Sequence, residues 1–188
     1  MSDLNKYIQQ KNKTHLIFDF DQTIGTLIID WSKLRDAVKK IIREYEPEFD
    51  YDSETRTVEI FNKYIKKYGE EIRLKFRKMS EDYEKKYLIE FKVNQEVLDV
   101  IKNSSEKIMY IWSSNSRKTI IYLLAELGII DYFEKIITKD EVDFLKPKTD
   151  GFKLIYDDVT LKEKYLMIGD SDADQGASIA SDIDFYRV

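Results

Sequence analysis

The stretch HLIFDFDQTIG (residues 15–25) sets Leu16, Ile17 and Phe18 directly before two aspartates, Asp19 and Asp21, with Phe20 between them. Side chains along a strand alternate faces, so residues two apart point the same way and these carboxylates would be neighbours. Like charges at that spacing repel, and the arrangement calls for a compensating partner. An apolar run without alternation suits a parallel strand buried on both faces. This segment is therefore read as the first strand of a covered sheet.

Similar runs recur at KIMYIW (107–112), KIIT (135–138), KYLMIG (164–169) and DFYRV (184–188). Between them lie SRKTIIYLLAELGI (116–129), with a stop at Gly128, then TDGFKLIYDDV (149–159) and DADQGASIASD (172–182), all at helical spacing. The βαβα order predicts an α/β fold, a doubly wound parallel sheet with right-handed crossovers. One connection, from about Thr26 to Glu106, is far longer than a crossover needs. Within it DWSKLRDAVKKIIREY (30–45), SETRTVEIFNKYIKKYG (53–69) and EEIRLKFRKMSEDYEKKYLIEF (70–91) have helical periodicity, with breaks at Pro47 and Gly69. The expected organisation is an inserted α-helical cap domain at 27–93 and a core domain formed by 1–26 and 94–188. NQEVLDVIKNS (94–104) would be the crossover helix that returns to the core.

Composition bounds the chemistry. At 188 residues, 43% hydrophobic and 36% charged, the chain suits one sizeable globular domain, or a core with a modest insertion. No stretch approaches the roughly 18 apolar residues of a membrane span, and MSDLNKYIQQKNK at the N-terminus lacks the apolar run of a signal peptide. The expectation is a cytoplasmic protein without a membrane partner. With no cysteine, disulfides, thiolate metal sites and thiol nucleophiles are excluded. The single histidine, His15, heads the first strand, where a neutral strand-capping role is expected, so Ser-His-Asp and multi-histidine metal chemistry have little to work with. A net charge of −5 argues against wrapping nucleic acid, and no obligate protein partner is evident.

Ligands of an open parallel sheet bind beyond the carboxyl ends of its strands, where strand order reverses. The polar residues of this chain gather there. The first strand delivers Asp19, Asp21 and Thr23, and YIWSSNS delivers Ser113, Ser114 and Asn115. Lys146 and Pro147, in FLKPK, precede the helix at 149–159, and GDSDAD presents Gly169, Asp170, Ser171 and Asp174. Two unit charges about 4 Å apart repel by roughly 4 kcal/mol at an effective dielectric near 20, so Asp19, Asp21, Asp170 and Asp174 need cations. Lys146 supplies one, and an oxygen-only donor set selects Mg²⁺ for the remainder. Plainer readings exist: Asp19 and Asp21 as a turn pair, Ser114 as the cap of the following helix, Lys146 as a surface lysine, Asp174 as a first-turn residue favouring the helix dipole. Burying an aspartate at a strand end without a task is costly, which counts against the first.

In this order and spacing the four clusters resemble the haloacid dehalogenase (HAD) superfamily, over residues 15–25 and 107–188. A cap between the first and second clusters is what that family calls a C1 cap. The resemblance implies a HAD-like Rossmannoid core that binds Mg²⁺ through the carboxylates of Asp19 and Asp170 and the main-chain carbonyl of Asp21. Asp174 would support the metal or Lys146. It further implies that Asp19 is a nucleophile toward phosphorus and that Asp21 is first general acid and then general base, its pKa raised by neighbouring carboxylates. The Ser114 hydroxyl, the Asn115 main-chain amide and Lys146 would hold the phosphate oxygens, beside a substrate-binding loop locked by Thr23. Dehalogenating members lack an aspartate at the position of Asp21, and phosphonate hydrolases carry a small residue there. Asp21 therefore favours a phosphatase or phosphomutase acting on a small phosphorylated metabolite such as a sugar phosphate, a phosphoglycolate-like ester or a nucleotide.

Two departures stand out. Gln22 occupies a position where the family usually has glycine, and Gly25 and Thr26 stand where an acidic or small polar residue is frequent. Arg73, Arg77 and Lys78 are the cap candidates for the non-phosphate end of a substrate. The rival readings are a receiver-type signalling domain and a non-catalytic phosphate-binding protein. A receiver places its phosphoaccepting aspartate on a middle strand and carries no large cap, and here no lone aspartate ends the second or third strand.

Overall fold

The structure is a computed structural model that describes residues 2–51 and 55–188. Five parallel strands form the main sheet in the order β5-β4-β1-β6-β7: β1 (His15–Phe18), β4 (Ile108–Trp112), β5 (Phe133–Ile137), β6 (Tyr165–Gly169) and β7 (Asp184–Arg187). β1 is central, with Phe18 level with Ile111 on one side and Ile168 on the other. The chain builds outward from β1 through β4 to β5 and then returns to β6 on the opposite flank, so strand order reverses at β1.

Alternation along the strands feeds two cores. Leu16, Phe18, Met109, Ile111, Leu166 and Ile168 point to one face, under α1 (Asp3–Gln10), α5 (Gln95–Lys102) and α6 (Arg117–Glu126). Ile17, Tyr110, Trp112, Tyr165 and Met167 point to the other, under α7 (Asp150–Ile155) and α8 (Asp172–Ser181). Both faces are thus covered, as continuous apolar runs require. Helix α1 was not foreseen: a polar segment hides only Leu4 and Ile8, one turn apart and buried, with Ser2 accepting from the Asn5 amide as its cap.

The long connection holds α2 (Trp31–Arg43), α3 (Thr57–Tyr68) and α4 (Glu70–Tyr87). Residues 53 and 54 of the expected helix 53–69 lie outside the described residues. Leu34, Val38 and Ile42 of α2 recur at four-residue spacing, and with Ile60, Phe61 and Tyr64 of α3 and Ile72 and Phe76 of α4 they make the apolar stripes along which the three helices pack. Phe61 and Phe76 stack with ring centroids 4.3 Å apart.

Helix α4 ends earlier than its periodicity suggests. Glu90–Val93 form β3, antiparallel to β2 (Gly25–Ile28), with Gly25 level with Val93 and Ile28 with Glu90. This two-stranded ladder closes the entry and exit of the inserted helices onto each other. Gly25 is needed there, since a Cβ would lie 2.4 Å from the Phe91 ring and 2.6 Å from the Lys92 carbonyl. Among the described residues no helix is long and apolar enough to cross a membrane.

Candidate active site

The carboxyl ends of β1, β4 and β6 face the inserted helices across a cavity of about 260 Å³. Asp19 follows directly on β1, and its amide still donates to the Ile168 carbonyl at 2.9 Å, which fixes it beside β6. The chain then turns sharply: the amides of Thr23, Ile24 and Gly25 all converge on the Phe20 carbonyl, and Gln22 adopts φ +63°. A glycine would take that left-handed conformation without cost, which gives a physical meaning to the departure at Gln22.

Asp19 closes the β1 ladder, and Asp21 lies in the loop just beyond it. Asp19 joins Asp170 and Asp174, each offering one oxygen, with all three within 4.8 Å of one another. The Asp21 carboxylate instead turns back onto its own loop and accepts from the Leu27 amide at 2.8 Å, while still lining the cavity. Burial pushes the Asp21 carboxyl up to about 6 against the pull of that amide, with the charges of Asp170 and Glu84 adding to the effect. Burial, ahead of neighbouring carboxylates, is the main cause. Thr23 is wholly buried, and its hydroxyl reaches Asp19 Oδ2 only at 3.4 Å, so its part is in the loop.

Lys146 is no surface lysine. Its Nζ lies 2.6 Å from Asp19 Oδ1 and 2.5 Å from Asp174 Oδ1, and it donates to the Trp112 carbonyl at 2.8 Å. Burial opposes the ammonium charge, but Asp174 and Asp19 outweigh it and hold Lys146 above the ordinary lysine range. Asp174 combines both roles expected of it. One oxygen meets Lys146 and the other accepts from the Ser171 amide and hydroxyl, closing a capping box at the start of α8. Gly169 permits this approach, since a Cβ there would lie 2.7 Å from the Asp174 carboxyl.

Behind β4, Ser113 Oγ donates to Asn115 Oδ1 at 3.0 Å and accepts from the Asn115 amide at 3.2 Å. The Asn115 amide, expected to face a phosphate oxygen, is thus engaged within its own turn. Ser114 is half-buried and lines the cavity. It does not cap α6; Ser116 stands at that position.

The acid cluster carries more negative charge than Lys146 balances. Burial pushes Asp19 up against the pull of Lys146, and burial together with Asp174 pushes Asp170 up as well. Among the described residues the donors gathered here are all carboxylate oxygens, a set that suits a hard divalent cation such as Mg²⁺. Asp19, Asp170 and Asp174 each offer one oxygen to such an ion.

From the inserted region Leu34, Val58, Phe61, Ser80 and Glu84 reach the cavity, with Arg56 just ahead of α3. The cap candidates Arg73, Arg77 and Lys78 do not. Arg73 pairs with Glu70 and Asp143, and Arg77 donates to the Val142 carbonyl at 2.7 Å. Instead the structure brings in Glu84 and Lys139, 3% and 5% exposed, paired at 2.8 Å. Glu84 Oε2 also accepts from the Ser116 amide at 3.0 Å and hydroxyl at 2.5 Å, so a carboxylate of the insertion caps a helix of the core. Burial works against the Glu84 charge, yet Lys139 and Ser116 together hold its carboxyl below the usual range. A signal for Lys139 existed: it directly follows the strand run 135–138, at the carboxyl end where ligands gather.

Comparison with known proteins agrees with this geometry. A family model described as haloacid dehalogenase-like hydrolase matches residues 16–188. No curated protein matches the chain. Among solved structures, a protein from Bacteroides fragilis assigned as a haloacid dehalogenase-like hydrolase superposes with a TM-score of 0.61 at 21% identity, over 92% of this chain and 86% of that one. L-2-haloacid dehalogenase from Xanthobacter autotrophicus gives 0.61 at 15% identity, over 94% and 77%. The HAD-hydrolase YfnB from Bacillus subtilis, crystallised with magnesium, gives 0.52 at 19%, over 92% and 85%. These likenesses establish the fold, and the family match extends over both the strand-end acids and the inserted helices: the chain belongs to the haloacid dehalogenase-like hydrolases.

Proposed function

We propose that this chain is a Mg²⁺-dependent phosphatase that hydrolyses a small phosphomonoester through an aspartyl phosphate on Asp19, with residues 27–93 as its cap. The observation that carries the reading is the different setting of the two aspartates. Asp19 lies in the acid cluster beside Lys146, whereas Asp21 lines the same cavity from its own loop, with a carboxyl pushed up to about 6. One is placed to attack as a carboxylate, and the other to hold a proton near neutral pH.

An Asp19 oxygen bonds to phosphorus as the ester P–O bond breaks, and the departing alkoxide takes the proton of Asp21. The Asp21 carboxylate then takes a proton from water, whose oxygen attacks the same phosphorus and releases phosphate and the Asp19 carboxylate. Lys146 sets positive charge where the equatorial oxygens gather negative charge, and the Ser114 hydroxyl offers a donor on the β4 side. Asp19 and Asp170 would hold Mg²⁺, which supplies charge neutralisation at the phosphoryl group. A carbon–halogen bond gives a leaving group that needs no proton, so the proton-holding Asp21 favours ester cleavage over dehalogenation.

The test is phosphate release from p-nitrophenyl phosphate and a panel of phosphorylated metabolites, with Mg²⁺ and with chelator. Turnover should require Mg²⁺ and vanish in Asp19→Asn. Retained activity in that variant, or no phosphate from any ester, overturns the proposal. Isomerised product without free phosphate would replace it with a mutase.

A further inference from the structure

Lys139 is a buried charged group in the cavity that the mechanism does not use. It leaves the end of β5, and its side chain is buried against Glu84 of α4. An ammonium carries three N–H donors. One goes to Glu84 Oε1 at 2.8 Å, and among the described residues no other acceptor lies within hydrogen-bond distance. Glu84 cannot take more, since its oxygens also serve the Ser116 amide and hydroxyl. A buried ammonium with unused donors on a cavity wall is costly unless something in the cavity accepts them.

Position says what that would be. The cation-binding acids lie on the β1 and β6 side, and the proposed phosphoryl subsite lies between β1 and β4. β5 is the next strand out, about 10 Å from β1 at the usual strand spacing. Glu84, which anchors Lys139, lines the same cavity as Asp21. Lys139 therefore stands past the phosphoryl group, where the alcohol portion of an ester would extend. Charge selects the acceptor. Asp19, Asp21, Glu84, Asp170 and Asp174 line the cavity against Arg56, Lys139 and Lys146, so a further anion is less welcome than a neutral oxygen.

We propose that Lys139, held in place by Glu84, is a specificity-determining residue whose spare N–H donors bind an uncharged oxygen, a hydroxyl or carbonyl, on the alcohol portion of the substrate. The assignment rests on the phosphatase reading. Its test compares two esters with Mg²⁺ present: glycerol 2-phosphate, whose alcohol carries hydroxyls next to the ester, and p-nitrophenyl phosphate, whose ring carries no oxygen there. In Glu84→Gln/Lys139→Met, which removes both charges and keeps an acceptor for Ser116, kcat/KM for glycerol 2-phosphate should fall at least tenfold more than for p-nitrophenyl phosphate. Lys139→Arg should restore most of that ratio. A merely structural role would lower both esters alike, so an unchanged ratio overturns the proposal. Wild-type preference for phosphoglycolate over glycerol 2-phosphate overturns it too, by showing that the acceptor is anionic. If the double variant does not fold, Lys139→Gln carries the same ratio test. Wild-type protein that releases phosphate from neither ester and none of the wider panel refutes the phosphatase reading itself, and this proposal with it.

Discussion

Lys139 and Lys146 lie on the same β5–α7 connection, and both bury an ammonium in the wall of one cavity. Their surroundings differ. Lys146 spends its donors on Asp19, Asp174 and the Trp112 carbonyl, three acceptors supplied by the core itself. Among the described residues Lys139 has one protein acceptor, and that one comes from the inserted helices. The first lysine is saturated, and it holds the protein's own anions in register. The second, on the reading proposed above, keeps donors for the substrate.

The sharpest way to break this contrast is to delete the saturated lysine. Lys146→Met would leave Asp19 and Asp174 buried without their cation, and breaking a buried pair from one side costs about 3–5 kcal/mol. We expect the urea midpoint to fall accordingly and turnover to drop below detection. If Lys146→Met unfolds no more easily than a variant at Glu84, the two lysines are not differently bound and the contrast fails.

Glu84→Gln comes next. The amide oxygen still accepts from Ser116, so the loss is the charge facing Lys139, about 2 kcal/mol for a hydrogen bond to a charged group. The pH dependence follows from the sign of the shift. Glu84 is held below its ordinary value in the folded chain, so its contribution is complete above about pH 4.5, the ordinary range of a glutamate, and is lost as pH falls through its folded value. The stability difference between wild type and Glu84→Gln, measured by urea unfolding, should therefore be constant from pH 8 to 5 and shrink below that. A difference that grows on acidification would show that Glu84 is folded in its protonated form.

The contrast also explains what the sequence could disclose. Asp19, Asp170, Asp174 and Lys146 were legible because each stands beside a strand end or just ahead of a helix, where the order of elements dictates position. The anchoring of Asp21 was not, since it depends on the Leu27 amide, and Leu27 is placed by a ladder with Phe91, far along the chain. Glu84 sits in a Lys- and Glu-rich helix whose charges read as solvated. Only the packing of α4 against α6 buries it, although its place after Ile72, Phe76 and Ser80 continues an inward stripe at four-residue spacing. Arg73 and Arg77 had the composition of ligand-binding residues, but the same packing turned them to the loop at 142–143. The core was written locally, whereas the cavity's outer wall was written in contacts between distant elements.

The smallest effect is expected at an exposed bridge between insertion and core, where chemistry like that of Lys139 and Glu84 is left in water. Arg56 and Asp172 meet at 3.2 Å with side chains 54% and 71% exposed, and Arg187 joins Asp172 at 2.8 Å. Exposed pairs of this kind are worth about 0.2–1 kcal/mol and are weakened by salt, because solvent and ions already screen the charges. Asp172→Asn should therefore lower stability by less than about 1 kcal/mol at low ionic strength and by almost nothing at 0.5 M NaCl. Glu84→Gln should keep most of its cost at the same salt, since screening ions do not reach a buried pair. Equal salt sensitivity of the two variants would mean that Glu84 and Lys139 are hydrated in solution, and the distinction between the open and the saturated lysine would lose its basis in burial.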